Sequence, residues 1–259
     1  MTKGSCIFLM YHELALPGRM PCRSEPGYVR YVITNREFRE QMQWIKDCGH
    51  RGLSVSEALK FPGRGVCITF DDGCETDLVV AAPLLQELSF GATFYLTAGF
   101  LGTPGYLSAD QARELDARGF EIGCHSMTHS YLPDLSDAEL KREIVHAKQR
   151  IEEILGHSIA HFSAPGGRYD TRALELAGSA GFRTFATSEF HVNSSTTDPY
   201  KLGRVAILRG MPLAEFSAIC EGQGLWKKRL NARLRDGFRK ILGNQAYDQL
   251  RAALLRQPK

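Results

Sequence analysis

The sequence predicts an α/β chain in which short parallel strands alternate with helices and close into a (β/α) barrel. Three observations carry that expectation. Seven apolar, strand-length runs recur between Cys6 and Ile207. Helix-like segments lie between them, three of them opening on a capping box. No GxGxxG follows an early strand, which counts against an open dinucleotide-binding sheet.

The elements follow in order. Cys6–Tyr11 reads as a first buried strand that meets His12. It is too short for a secretory signal and lacks a small-residue cleavage site. Residues 15–34, "ALPGRMPCRSEPGYVRYVIT", form a long loop rich in Pro and Gly, a flap over the barrel mouth. Its Arg19, Arg23, Tyr28 and Tyr31 are candidates to contact a sugar or an anionic group. Thr34 and Glu37 make the first capping box. Strands follow at Val66–Phe70 and Ala92–Thr97. Ser108 and Gln111 cap the next helix, before the strand Phe120–Cys124. Ser136 and Glu139 open the longest helix, to Leu155, which Gly156 stops. Its Leu140, Ile144, Ala147, Ile151, Ile154 and Leu155 share a face that should meet a core. The remaining strands are Ala160–Ser163, Arg183–Thr187 and Leu202–Ile207.

The 259 residues are 43% apolar and 24% charged, ordinary for one large globular domain. No apolar stretch nears the roughly 20 residues that span a bilayer. The net charge of +3 conceals a division. Residues 225–259 carry ten Lys/Arg and two Asp, so the rest is net acidic. In that tail Trp226, Leu230, Leu234, Phe238, Ile241 and Leu242 share a helical face, with the basic residues mostly elsewhere. This divides the chain into a catalytic-type domain, 1–224, and a basic amphipathic helical extension, 225–259. The extension either packs on the barrel or contacts an anionic membrane surface. Nucleic acid is not an expected partner, since no binding motif accompanies the charge. Seven cysteines, an odd number without a CxxC pair, suggest a reduced, cytoplasmic protein, with any membrane contact at the inner face. Cys74 and Cys124 read as packing beside the site. The oligomeric state stays open.

Polar clusters stand at three strand ends, where barrel chemistry gathers. They are Asp71-Asp72 in "TFDDG", His125 and His129 in "HSMTH", and Pro165-Gly166-Gly167 in "SAPGG". Adjacent carboxylates repel and cost desolvation energy unless a positive group joins them. Two His and one Asp supply three metal ligands and leave positions open. HxxxH on a helical turn would aim both rings at one ion. With one Asp as ligand, the other remains as a base. A divalent ion acidifies water and polarises a carbonyl, so the set describes a hydrolase.

These motifs resemble those of the polysaccharide deacetylase family, the NodB-homology domain of carbohydrate esterase family 4. The likeness runs from about residue 6 to residue 210. It implies a distorted (β/α)₇ barrel that removes N-acetyl groups from amino sugars, as a hydrolase of carbon–nitrogen bonds other than peptide bonds. Carried over by position, it implies Asp71 as general base and Asp72, His125 and His129 as ligands of zinc, with cobalt or nickel as substitutes. The Gly166 N–H would help hold the oxyanion in the Pro165-Gly166-Gly167 turn.

Two departures stand out. The third motif usually begins with an Arg that orients the base, and here Ser163 replaces it. Arg168 and Arg204 are the candidate substitutes. The aromatic residue usual before its last Gly is Gly166, which should open room in the groove. The family's late LxxH histidine, its general acid, is also missing from "KLGRVAILRG". His191, after Arg183–Thr187, and His12, at the end of the first strand, are the candidates to replace it; His161 reads as structural. The alternatives are another linear C–N amidohydrolase, allantoinase-like or a sugar deformylase, and a catalytically weak carbohydrate-binding module.

Overall fold

The computed structural model describes residues 4–226 and 229–230. Seven parallel strands follow the expected order. We label them β1 (Ser5–Tyr11), β2 (Arg64–Asp72), β3 (Thr93–Leu96), β4 (Glu121–Cys124), β5 (His161–Ser163), β6 (Thr184–Ala186) and β7 (Val205–Ala206). Each pairs with the next from β1 to β6. Leu202 bridges Ala186, and β7 returns to β1 through Leu9↔Val205 and Met10↔Ala206. The segment around β7 thus joins the last strand to the first and curls the sheet into a barrel.

The barrel is distorted because its strand ends splay. The start of β1 leaves β7 and pairs antiparallel with Asn193–Ser194. The start of β2 pairs with Arg51–Leu53 instead of β3. Along β1 the side chains alternate between two apolar clusters, as strand geometry requires. Ile7, Leu9 and Tyr11 join the large cluster beneath the helices, while Cys6 and Phe8 join a smaller one with Cys67, Tyr95, Ala186 and Leu202. Aromatic rings tie neighbouring strands together: Tyr11 lies 5.2 Å from Phe70, which lies 5.0 Å from Phe94. Each such ring contributes roughly 1.5–3 kcal/mol by burial.

All three expected capping boxes form, and Ser54 with Glu57 adds a fourth. The longest helix starts at Asp137 and ends at Leu155, with Gly156 at φ 79° as its left-handed cap. It contains one π-helical turn, Arg142–His146. A second π turn, Asp77–Ala81, follows the Asp71-Asp72 strand end. Such turns often mark functional sites. The 15–34 loop contains a short helix, Pro26–Val29, and is pinned where Leu14–Ala15 pairs with Ile33–Thr34. No helix among the described residues is long and apolar enough to cross a membrane. Most of the 225–259 extension lies outside the described residues; of those described, Leu225 is buried and Trp226 and Leu230 are exposed.

Candidate active site

The strand β2 continues through both aspartates, pairing Asp71 with Tyr95 and Asp72 with Leu96. Successive strand residues point to opposite faces, so the pleat itself parts the two carboxylates. Asp72 then takes φ 83°, a left-handed conformation uncommon outside glycine. Both side chains are buried.

The His125–His129 segment is a loop, which corrects the expected helical turn. Ser126 and His129 both have positive φ, 68° and 63°. Ser126 Oγ accepts the His129 N–H at 3.0 Å. Buried Glu143, on the π turn of the long helix, accepts the N–H groups of Met127 and Thr128 at 2.9 and 2.8 Å. Gly99 packs so closely that a Cβ there would stand 2.5 Å from the Met127 carbonyl oxygen. These contacts, not helical spacing, make the two rings converge.

One ligand atom each from Asp72, His125 and His129 lies within 4.8 Å of the others. Asp72 Oδ1 is 3.6 Å from His125 Nε2 and 3.4 Å from His129 Nε2. His125 Nδ1 sits 2.9 Å from the Ser163 carbonyl oxygen, which can only accept, so the proton belongs on Nδ1 and Nε2 presents its lone pair. Burial pushes the pKa of His129 down to about 4 against the pull of Asp72, which favours the neutral ring. Asp72 Oδ1 is buried without a hydrogen-bond partner. A buried carboxylate oxygen facing two imidazole nitrogens calls for a cation, and a divalent metal fits this donor set.

Asp71 faces the barrel interior but stays beside the trio, its Oδ2 3.8 Å from His125 Nε2. Arg204 grips it with both arms of the guanidinium, Nη1 to Oδ1 at 2.7 Å and Nη2 to Oδ2 at 2.8 Å. The same Nη2 donates to Ser163 Oγ at 2.6 Å, and Nε donates to the Thr187 carbonyl at 3.1 Å. Burial alone would raise the Asp71 carboxyl, but the Arg204 guanidinium outweighs it and holds the group well below the usual carboxylate range.

The polysaccharide deacetylase family model matches residues 58–185, a span that holds both aspartates, both histidines and the Ser163–Gly167 turn. The chain belongs to the polysaccharide deacetylase family. Among its relatives is the Bacillus subtilis protein named "Putative polysaccharide deacetylase YxkH", 28% identical over 82% of this chain and 75% of that one. The Staphylococcus aureus poly-beta-1,6-N-acetyl-D-glucosamine N-deacetylase is 25% identical over 66% of each chain. In fold, this deacetylase-family chain is similar to a Streptococcus pyogenes deacetylase solved with acetate. That likeness has a TM-score of 0.73 at 23% identity, covering 83% of this chain and 98% of that one. IcaB from Ammonifex degensii gives 0.72 at 24% identity, covering 85% and 98%.

Within this family member, the expected site residues divide into those that meet and those that do not. His12 stands beside the cluster: Asp72, Asp71 and His125 all bear on its charge, while burial lowers its pKa. Its ring lies 4.6 Å from that of Tyr31, tilted at 33°, and its Nδ1 is buried without a partner. His191 is not brought there. Its ring answers to Glu189, Arg229, Lys201 and Asn193, on the outer side of the chain near Gly203. Arg168 does not reach Asp71 either; its guanidinium lies 3.7 Å from the Tyr131 ring centroid. His161 bonds Thr184 and Glu121 toward the opposite end of the barrel strands.

Gly166 opens no groove. It takes φ 60°, and a Cβ there would stand 2.8 Å from Tyr131 Cε1. Tyr131 fills the space that a side chain at position 166 would occupy, with Arg168 on its face. In the flap, Arg19 pairs with Glu13 and Glu75, and Tyr28 is buried against Glu13 and Cys74, so these two hold the loop rather than face the mouth. The sequence reading passed over Glu143 as a support for the histidine loop. Its signal was an acidic residue beside Leu140 and Ile144 on the buried face of the long helix.

Proposed function

We propose that this chain is a metal-dependent hydrolase that removes acetyl groups from an N-acetylated amino sugar in a polymer, glycan precursor or glycoside. The observation that carries the reading is the placement of Asp71. It is a buried, arginine-held carboxylate next to a trio suited to a divalent cation, buried Asp72 and His125 with half-buried His129. The names of relatives support the substrate class: one is a poly-beta-1,6-N-acetyl-D-glucosamine N-deacetylase, another the chitooligosaccharide deacetylase of Azorhizobium caulinodans.

Zinc is the metal we assign, with cobalt or nickel as substitutes. Bound by Asp72, His125 and His129, it supplies Lewis acidity, acidifying water and polarising an amide carbonyl. The chain's own groups do the rest. Asp71, kept ionised by Arg204, takes the proton of the attacking water. The Gly166 N–H, in the Pro165-Gly166-Gly167 turn, donates to the developing oxyanion. His12 delivers a proton to the departing amine nitrogen, so that the C–N bond breaks to acetate and a free amine. Tyr31, in tilted contact with His12, steadies that ring. We place the protein in the cytoplasm, with residues 225–259 as a basic contact to the inner membrane face.

The test is acetate release from a panel of N-acetylhexosamine oligomers by zinc- or cobalt-loaded protein. Loss of one acetyl mass per turnover supports the reading. Release of formate from N-formyl sugars alone would point to a deformylase. Tight sugar binding without turnover would leave a carbohydrate-binding module.

A further inference from the structure

Cys22 and Cys74 are 52 residues apart in sequence, and their sulfurs are 3.7 Å apart in space. Cys74 follows Gly73 and so lies two residues beyond Asp72; a bridge to Tyr106 fixes its backbone. Cys22 sits on the flap and is partly exposed. Its N–H donates to Glu13 Oε2 at 2.9 Å and its thiol to the Gly105 carbonyl at 3.0 Å. The flap reaches the site, since the ring of its Tyr31 lies 4.6 Å from the ring of His12.

Glu13, Cys22 and Cys74 also bring three ligand-type atoms within 4.8 Å of one another. A cation is the wrong occupant. The Arg19 guanidinium already stands 2.7 Å from Glu13 Oε1 and 3.6 Å from Cys22 Sγ. Glu13 Oε2 is taken by the Cys22 N–H and the Tyr28 hydroxyl. What remains is a pair of free thiols in contact.

We propose that Cys22 and Cys74 form a reversible disulfide that fastens the flap to the turn carrying Asp71 and Asp72. An S–S bond measures about 2.05 Å, so the sulfurs must close by roughly 1.6 Å. Rotation of the partly exposed Cys22 side chain supplies that movement and gives up its hydrogen bond to Gly105. The oxidant is a low-molecular-weight disulfide, RSSR. The Cys22 thiolate attacks one sulfur of RSSR, whose S–S bond breaks and releases RS⁻. Cys74, whose thiol gives up its proton to the released RS⁻, then attacks Cys22 Sγ in the mixed disulfide and expels the second RS⁻. The two thiol protons end on two RSH; the protein pair is oxidised by two electrons and RSSR is reduced. The bond would hold the loop over the mouth, where Tyr31 meets His12, whatever substrate the site takes.

The test treats the reduced, folded full chain with oxidised glutathione and maps peptides without reduction. The expected result is a Cys22–Cys74 cross-linked peptide, two hydrogen masses lighter than its parts. Two free thiols should disappear, and tryptic cleavage after Arg19 and Arg23 should slow. The melting temperature should rise by about 5 °C or more, because a long loop is closed in the unfolded chain, and dithiothreitol should reverse the rise. Cys22→Ser should abolish every change, while Cys48→Ser, at an exposed cysteine, should leave them all. A glutathione adduct that persists on Cys22, a cross-link to any other cysteine, or no loss of thiols would overturn the proposal. So would a melting shift that survives in Cys22→Ser.

Discussion

Arg204 Nη1 and Nη2 lie 2.7 and 2.8 Å from the two oxygens of Asp71, and both side chains are out of solvent. The arginine comes from the segment that closes the barrel, 133 residues from its partner. Ser163 is part of the same arrangement. Its hydroxyl accepts from Arg204 Nη2 and donates to Asp71 Oδ2 at 3.3 Å. An arginine at position 163 would bring a second buried cation to the volume that Arg204 occupies. The short side chain at 163 and the long one at 204 therefore belong together.

Arg204→Met leaves Asp71 buried and unpaired. Removing one partner of a buried pair costs roughly 3–5 kcal/mol, and without the guanidinium burial raises the carboxyl. A proton acceptor must be ionised, so the acid limb of the kcat/KM profile should move to higher pH. Activity at neutral pH should fall by about 10²-fold or more. Arg204→Lys keeps the charge but loses the fork, so it should fall between the two. Profiles of kcat/KM against pH for the three proteins check this; an unmoved acid limb in Arg204→Met would refute the role of Asp71.

Asp72 gives the second prediction. Its unpartnered, buried oxygen is a liability in metal-free protein, so Asp72→Asn should melt no lower than wild type without metal. Wild type should gain several degrees with zinc, since binding only the native state stabilises it. Asp72→Asn should lose most of that gain. Thermal melts with chelator and with zinc decide it, and an equal zinc shift in both proteins would remove Asp72 from the ligand set.

The reach of the sequence follows from distance along the chain. Capping boxes and strand runs are local patterns, so Thr34–Glu37, Ser108–Gln111 and Ser136–Glu139 could be read directly, and the seven strand runs fall where β1 to β7 lie. The motif residues Asp72, His125 and His129 converge because the ends of β2 and β4 share one mouth. Choosing Arg204 over Arg168 as the partner of Asp71 required knowing which side chain crosses the barrel, and no local pattern records that. Gly166 misled for a similar reason. Its empty Cβ position looks like space until Tyr131, from another loop, is seen to fill it. The HxxxH spacing suggested a helix, whereas Ser126 and Glu143 bond the backbone of a left-handed loop there.

The lower barrel should govern acid stability. Burial would raise Glu121, but His161, Ser56 and Thr93 outweigh it and hold its pKa down to about 2. A folded pKa below the unfolded value, near 4.5, means the stabilisation is complete above pH 4.5 and is lost as pH falls toward 2. Its size is on the order of 3 kcal/mol. Urea unfolding of wild type and Glu121→Gln from pH 6 to 2 should show a stability gap that narrows as the pH drops. Asp71 titrates in both proteins and cancels from the difference. A gap independent of pH would show that Glu121 is not held ionised.

The last prediction separates two histidines that sequence position alone left as candidates for the general acid. His12 shares its surroundings with Asp71, Asp72 and His125, while His191 answers to Glu189, Arg229, Lys201 and Asn193. Loss of a general acid typically costs 10²–10⁴-fold. His12→Ala should therefore lower kcat by about 10²-fold or more on an unactivated acetamide. The loss should be smaller on an ester analogue, whose leaving group needs less protonation. His191→Ala should stay within about twofold on both, since its ring contacts lie away from the reacting groups. Steady-state rates on matched amide and ester substrates make the comparison. An equal loss on both for His12→Ala would reassign His12 to holding the site's shape, because a purely structural defect does not distinguish leaving groups.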